Sequence, residues 1–73
     1  MIVHFDPRVD AAYIYLVDPQ QGFTVARTVP CDPIETGAEV NLDFDGEGRL
    51  IGIEVLGASR HLPKALVDSA TRI

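Results

Sequence analysis

The chain has 73 residues, of which 47% are hydrophobic and 23% charged, and its formal net charge is -5. A chain of this length builds one small core, buries only about 60% of the surface that its unfolded form exposes, and commonly gains stability by self-association. The length excludes a deep multi-domain active site, and the acidic balance disfavours nucleic acid and anionic lipid, which bind clustered lysine and arginine. We expect a single domain over residues 1–73.

The sequence gives no sign of a membrane span or of a secretory leader. No apolar run approaches the roughly 18 residues that a bilayer span needs, and residues 1–5 carry no basic leader. Cys31 is the only cysteine, so no intramolecular disulfide can form, and it lies in a proline-flanked loop with no group to activate its thiol. We therefore expect a cytoplasmic protein with no membrane contact.

The first half of the chain reads as short strands separated by turns. Aspartate, proline and glycine mark the turns, and β-branched and aromatic residues fill the segments between them. The predicted strands cover residues 1–5, 11–17 and 23–29. Two prolines and three acids favour a loop over residues 30–39, with at most a short irregular edge segment around Ile34.

The clearest pattern is the alternation of apolar and polar residues over residues 40–45, which predicts a half-buried strand. An Asp-Gly pair follows at Asp45, which is a strong hairpin signal because glycine accepts the backbone angles of a tight turn. Residues 49–56 then form the return strand. We expect the apolar sides of the two strands to meet in one core.

The C-terminal residues have apolar side chains at helical spacing, with Leu62, Leu66, Ala70 and Ile73 on one stripe. Pro63 suits the first position of a helix, so a helix begins there and residues 59–62 form a separate turn. The predicted fold class is therefore α+β: an antiparallel β-meander of four or five strands with a short C-terminal helix packed on one face.

Two stretches carry a resemblance to a known family. Residues 5–16 read FDPRVDAAYIYL and residues 41–59 read NLDFDGEGRLIGIEVLGAS. They resemble the short prokaryotic proteins catalogued as domain of unknown function 2283, although Phe5 stands where tyrosine is common and Gly57 where an acid is usual. The resemblance implies a small β-rich fold with a terminal helix and no established reaction. It also implies a suspected antitoxin role in some members, and it supplies no catalytic residues.

The acidic residues around the hairpin imitate the opening of a calcium-binding loop over residues 41–46. The bidentate glutamate of such a loop belongs at position 52, which is Gly52. We interpret the segment as a solvated strand face followed by a hairpin turn. Asp43, Asp45 and Glu47 are the side chains that would hold a cation if one bound.

None of the catalytic or metal-binding residue patterns that we compared with the sequence has the required spacing. Ser59, His61 and Asp68 are the candidates for acyl transfer, but Ser59 and His61 are two residues apart and point in different directions on a helix. The two histidines and one cysteine show no paired spacing for zinc, and no glycine-rich phosphate loop is complete. We predict no catalytic residue, no cofactor and no metal, and we lean against an enzyme.

The second strand places Tyr13 and Tyr15 on one face, opposite the face expected under the helix. Tyrosine is enriched in protein interfaces, so this face is either a docking surface or is covered by other parts of the monomer. The sequence leaves both interpretations open. The residues of the candidate interface or ligand face are Tyr13, Tyr15, Arg27, Asp43 and Glu54.

Two functional hypotheses follow. The first is a protein-protein interaction module that acts as a homo-oligomer, with a dimer as the first expectation, or with a basic protein partner, of which an antitoxin is the sharpest form. The second is a small-ligand-binding protein or minor enzyme whose site forms between subunits. Direct binding of nucleic acid ranks below both.

Overall fold

A computed structural model describes residues 1–73 as one six-stranded sheet with short helices. The strands follow the order β3-β4-β5-β2-β1-β6, and every neighbouring pair is antiparallel except β1 with β6. The elements in chain order are β1 (Ile2–Asp6), β2 (Ala11–Tyr15), a 3-10 turn (Pro19–Gln21), β3 (Arg27–Pro30), α1 (Pro33–Thr36), β4 (Glu39–Phe44), β5 (Leu50–Leu56), α2 (Ala58–His61), α3 (Lys64–Ser69) and β6 (Thr71–Arg72).

Aspartate side chains build the two tight hairpins. In the β4–β5 hairpin, the Asp45 carboxylate accepts hydrogen bonds from the backbone amides of Glu47 and Arg49, both at 2.9 Å. In the β1–β2 hairpin, Asp10 adopts a φ of 53°, a left-handed conformation that aspartate tolerates better than most residues. The turn residues read from the sequence therefore close both hairpins.

The α+β class is correct, but an antiparallel meander of four or five strands does not describe the sheet exactly. β2 pairs with β1 and β5 and does not pair with β3, which lies at the far edge beside β4. Residues 16–26, part of which was predicted to be strand, form the long connection from β2 to β3. β5 takes the central position because it contributes buried residues to the sheet and pairs along its length with both β2 and β4.

The C-terminal segment differs from the predicted single helix. It forms two one- to two-turn helices, and Leu62 between them has an extended ψ of 154° because it precedes Pro63. Residues 71–72, expected to lie within the helix, instead form β6, in which Thr71 pairs with His4 and Arg72 with Phe5. None of the helices is both long and apolar enough to cross a membrane.

One face of the sheet, which we call the apolar face, carries two rows of hydrophobic side chains across the strands. The covered row, so named because its side chains lie under the helices, is buried, and Phe5 and Ala12 pack with Ala58 of α2 and Val67 of α3. The covered row consists of Phe5, Ala12 and Val55, and Val40, which continues it in β4, is partly buried.

The second row of the apolar face is not buried in this way. Cross-strand pairing joins its four side chains into a continuous line over β2, β5, β4 and β3, and each stays only partly buried. We call this the open row, and it consists of Ile14, Ile53, Leu42 and Val29; Val3, which pairs with Ile14 from β1, is buried. Only 9 of the 73 residues are buried, so the monomer leaves much of its strongest hydrophobic pattern incompletely covered.

Candidate functional site

The opposite face of the sheet, which we call the acidic face, carries four carboxylates and neither lysine nor arginine at its strand positions. Alternation along the strands and the pairing register place these side chains together. The four carboxylates are Asp6, Glu39, Asp43 and Glu54.

The arginines of the strands lie on the other side. The Arg27 guanidinium stacks over the Phe44 ring at 4.9 Å, and the Arg72 guanidinium lies 5.5 Å from the Phe5 ring centroid. Arginine favours aromatic faces because its planar cation is attracted to the ring quadrupole. The sheet therefore separates its charges, with the carboxylates on one face and the arginines on the other.

A hydrogen-bonded network crosses four strands of the acidic face. The Tyr13 hydroxyl of β2 donates to Asp43 Oδ2 of β4 at 2.5 Å, and the Thr28 hydroxyl of β3 donates to Asp43 Oδ1 at 2.5 Å. Asp43 is only 9% exposed, and these two donors satisfy both of its carboxylate oxygens. The network therefore connects β2, on one side of β5, with β4 and β3 on the other side.

Gly52 of β5 makes this crossing possible. The Tyr13 ring lies directly over Gly52 on its way from β2 to β4, and a Cβ at position 52 would overlap the ring and its hydroxyl. Glycine inside an alternating strand often marks such a close approach. Burial, together with the hydrogen bond to Asp43, raises the pKa of Tyr13 above its usual value of 10.0, so this hydroxyl remains a donor at neutral pH.

Aromatic rings cover one end of the acidic face. Phe23, from the connection between β2 and β3, contacts both Tyr13 and Tyr15 edge-on, with ring centroids 5.9 and 5.2 Å apart. Tyr15 also meets Tyr13 at 4.7 Å and His4 at 5.1 Å. The two tyrosines are therefore partly covered within the monomer.

The rest of the acidic face contains a groove of about 200 Å³. Its lining includes His4, Asp6, Ala11, Tyr13 and Glu54. Ala11 is the smallest side chain in its part of the face and leaves room between its larger neighbours. The groove is therefore bordered by carboxylates and aromatic rings together.

Two of these carboxylates already have partners in the protein. Glu54 Oε1 accepts a hydrogen bond from Asn41 Nδ2 at 2.9 Å, and Asp6 accepts bonds from the Arg8 guanidinium at 3.0 Å. The Arg8 bonds lower the pKa of Asp6, which keeps this carboxyl ionised. Arg8 is 78% exposed and lies outside the groove lining.

Four of the five residues that the sequence proposed as an interface or ligand face share the acidic face: Tyr13, Tyr15, Asp43 and Glu54. Arg27 does not join them, because it neighbours Thr28 in β3 and stacks on Phe44 on the apolar face. The face on which Arg27 lies could not be predicted from the sequence. It depends on the register of β3 with β4, which local sequence patterns do not determine.

Sequence reasoning missed Thr28, Phe23 and the role of Gly52. Thr28 and Phe23 belong to a segment whose β-propensity carries no information about which tertiary partners it reaches. Gly52 did carry a signal, because a glycine in an otherwise alternating strand suggests that another group approaches the backbone closely.

Most of the residues weighed for metal binding and acyl transfer have other partners in the fold. Asp43 is engaged by Tyr13 and Thr28, and Asp45 by the hairpin amides, so these side chains and Glu47 do not converge. No three histidine, cysteine, aspartate or glutamate side chains come close enough to share a metal ion. Asp68 pairs with Lys64 at 2.6 Å within α3, whereas Ser59 and His61 lie in α2.

Ser59 instead fastens α2 to the first hairpin. Its hydroxyl donates to Asp10 Oδ2 at 2.8 Å and its amide to Oδ1 at 3.0 Å. These two bonds lower the pKa of Asp10, because they stabilise its charged form. The bonds between Asp10 and Ser59 therefore connect the two stretches that carried the family resemblance, residues 5–16 and 41–59.

The family model described as protein of unknown function (DUF2283) matches residues 2–59. No curated protein and no solved structure matches the chain. The matched segment contains the network from Tyr13 to Asp43, the Gly52 crossing and the Asp10–Ser59 link. The chain belongs to the DUF2283 family of proteins of unknown function.

Proposed function

We propose that this protein is a protein-protein interaction module that acts as a homodimer, with the apolar face of each copy packed against that of the other. The observation that carries the proposal is the open row, a line of four aliphatic side chains that the helices leave partly exposed. Such apolar patches mark interaction surfaces in soluble proteins.

The shape of the chain supports a face-to-face arrangement. The molecule is a plate with extents of 32, 30 and 18 Å, so its broad side is large relative to its thickness. A stable interface of standard size buries about 800 Å² on each partner. α2 and α3 occupy part of this broad side, so a second plate would pack on the remainder, over the open row, and would add to the thin core.

The edges of the sheet are less suited to pairing. β3 has four residues and ends at Pro30, which lacks an amide donor, and β6 has only two residues. Short edge strands and edge prolines are the usual means by which proteins prevent strand addition. We therefore infer association through the apolar face and not through a strand edge.

The distribution of charge between the two faces also favours a second copy packed on the apolar face. The chain carries a net charge of -5, which opposes self-association wherever the carboxylates approach each other. Packing the apolar faces together places the two acidic faces outward, at the greatest distance from each other. An isologous dimer of this kind leaves both acidic faces accessible.

Sedimentation velocity over a range of protein concentrations tests the dimer. We expect the wild type to sediment as a dimer, and Val29→Glu or Leu42→Glu to sediment as monomers because a carboxylate would be buried in the interface. Thr24→Glu, which adds the same charge at an exposed loop position, is the matched control.

Far-ultraviolet circular dichroism establishes whether each variant keeps its strands. Val29→Glu is expected to disturb folding less than Leu42→Glu, because Val29 lies on an edge strand. A wild type that remains monomeric at all concentrations contradicts the proposed dimer. So does a folded Val29→Glu variant that sediments like the wild type.

A basic protein partner is the second candidate, with an antitoxin role as its specific form. The observation in its favour is the acidic face, where Asp6, Glu39, Asp43 and Glu54 lie with no lysine or arginine at the strand positions. Complementary charge accelerates association and suppresses wrong partners. Tagged purification from the native host at moderate salt, followed by mass spectrometry, tests it.

For the antitoxin role, we expect one small basic companion in stoichiometric amount, and co-expression with the tagged chain should relieve the growth arrest that the companion causes alone. A protein that elutes as an oligomer of itself without a companion contradicts this second candidate. It leaves the homodimer intact.

A further inference from the structure

We propose that the groove on the acidic face binds the ammonium group of a lysine side chain from a partner protein. This site lies on the side of the sheet opposite the open row, so it does not depend on the homodimer. Its volume of about 200 Å³ is below the roughly 300–1,000 Å³ of pockets for drug-sized ligands, and suits a single inserted side chain.

The charge of the groove selects a cation. Asp6 and Glu54 line it, and no lysine or arginine does. Asp6 is already engaged by Arg8, which leaves Glu54 as the carboxylate that can receive a ligand. Glu54 Oε1 accepts from Asn41, and Oε2 has no hydrogen-bond partner within the protein.

The single free oxygen favours an ammonium over a guanidinium. A guanidinium binds a carboxylate best through two parallel hydrogen bonds, and Asn41 already occupies one of the two Glu54 oxygens. An ammonium is a compact charge with three donors, so one carboxylate oxygen together with other nearby acceptors satisfies it. The groove therefore fits lysine better than arginine.

The remaining walls suit the aliphatic part of lysine. The rings of Tyr13 and Tyr15 and the side chains of Val9 and Ile73 line the groove beside the carboxylates. Lysine buries its methylene stem along apolar surface while its charged end stays near polar groups, and aromatic rings attract its cation. Both parts of the side chain thus find matching surroundings.

The charges beyond the groove point to a protein as the source of the ammonium. Glu39 is exposed on the same face, outside the groove lining, in the row that also holds Asp6, Ala11 and Leu56. A basic partner that inserts one lysine can place a second cation near Glu39, which a free monoamine cannot do. A second copy of this chain is disfavoured here because its own acidic face would be repelled.

The test is a nuclear magnetic resonance titration of the isotope-labelled full chain with N-acetyl-lysine N-methylamide. Two matched probes accompany it: the norleucine analogue, which has a similar apolar stem without the charge, and the arginine analogue. We expect the lysine probe to shift the backbone amides of Ala11, Tyr13 and Glu54 in a saturable way. The arginine probe should bind more weakly, and the norleucine probe should leave these amides unchanged at the same concentration.

The substitution that tests the site is Glu54→Gln, which keeps an oxygen to accept the Asn41 hydrogen bond. We expect it to weaken lysine-probe binding about fivefold, as for a partly exposed ion pair. Glu35→Gln, which removes an exposed carboxylate of α1 outside the groove, is the control and should bind like the wild type.

Three outcomes overturn the proposed site: equal binding of the lysine and norleucine probes, unchanged affinity in a folded Glu54→Gln variant, or shifts confined to residues away from the groove. A fourth outcome, in which free butylammonium binds more tightly than the lysine probe, overturns a protein as the source and assigns the groove to small amines.

Discussion

The two faces of this sheet are held together by different forces. The covered row of the apolar face packs under α2 and α3 in the ordinary way of a hydrophobic core. The acidic face is held by side-chain hydrogen bonds that run across strands, from Tyr13 and Thr28 to Asp43. A small domain with few buried residues thus gains part of its cohesion from a polar network on the side that its helices leave uncovered.

The change that should disturb the acidic face most is Gly52→Ala. The added Cβ would overlap the Tyr13 ring, so Tyr13 must move and its hydrogen bond to Asp43 must break. We expect a loss of about 3 kcal/mol in the free energy of unfolding, measured by urea denaturation. Gly46→Ala is the control, because no atom lies within 4 Å of the new Cβ. Equal stability of the two variants would show that the ring is not held over β5.

Removing one hydroxyl tests the network without steric change. Tyr13→Phe leaves the buried Asp43 carboxylate with only the Thr28 donor, and we expect a loss of about 2 kcal/mol. Tyr15→Phe is its matched control on the same strand, because the Tyr15 hydroxyl makes no hydrogen bond within the protein, and it should cost about 0–0.5 kcal/mol. Chemical denaturation of both variants side by side separates the network from the aromatic packing.

The raised pKa of Tyr13 adds a dependence on pH to the same pair. Folding favours the neutral phenol, so this contribution to stability is complete below pH 10.0, the usual pKa of the group, and is lost as pH rises from there through the higher folded pKa. The stability difference between wild type and Tyr13→Phe should therefore shrink in alkaline denaturation curves. A constant difference would argue that the hydroxyl is not buried against Asp43.

The two rows of the apolar face should respond differently to truncation. Val67→Ala removes two methyl groups from the covered row's packing and should cost about 1.5 kcal/mol at every protein concentration. Val29→Ala in the open row should instead alter the concentration dependence of the melting temperature, since a dimer interface is stabilised by mass action. Thermal melts at several concentrations check both, and a concentration-independent Val29→Ala defect would assign the open row to the monomer alone.

The smallest effect should come from the link that joins α2, on the side of the apolar face, to the first hairpin. Ser59→Ala removes the hydroxyl bond to Asp10 and leaves the amide bond in place. Because these bonds lower the pKa of Asp10 from its usual 3.8, their stabilisation is present above that pH and disappears as pH falls through the lower folded value. Wild type and variant should differ slightly at neutral pH and converge in acid unfolding.

The elements that the sequence predicted well are those specified by local pattern. Residues 40–45 alternate cleanly and Asp45 marks the turn, so β4, β5 and their hairpin lie close to the predicted positions. The family was also recognised correctly from two stretches of this kind. Local alternation and turn chemistry are decided within a few residues, which is why they can be read from one sequence.

Strand order was not predictable in the same way. β2 is apolar on both faces, which indicates that both sides of the sheet are partly covered there but not which strands pair with β2. The segment around Phe23 has strand-like composition, yet it leaves the sheet to place an aromatic ring on Tyr13 and Tyr15. Tertiary contacts override propensity there. For the same reason, the sequence did not show that Thr28 contacts Asp43 or that Arg27 lies on the apolar face.

The ring that passes over Gly52 also limits how the central strands can align. A shift of β5 by two residues would keep its apolar side chains on the same face, so the hydrophobic pattern alone tolerates it. Such a shift would bring Leu50 or Glu54 beneath Tyr13, where a side chain cannot fit. One missing side chain on β5 therefore distinguishes the native alignment of β2, β5 and β4 from its nearest alternatives, and it does so between strands that lie far apart in the sequence.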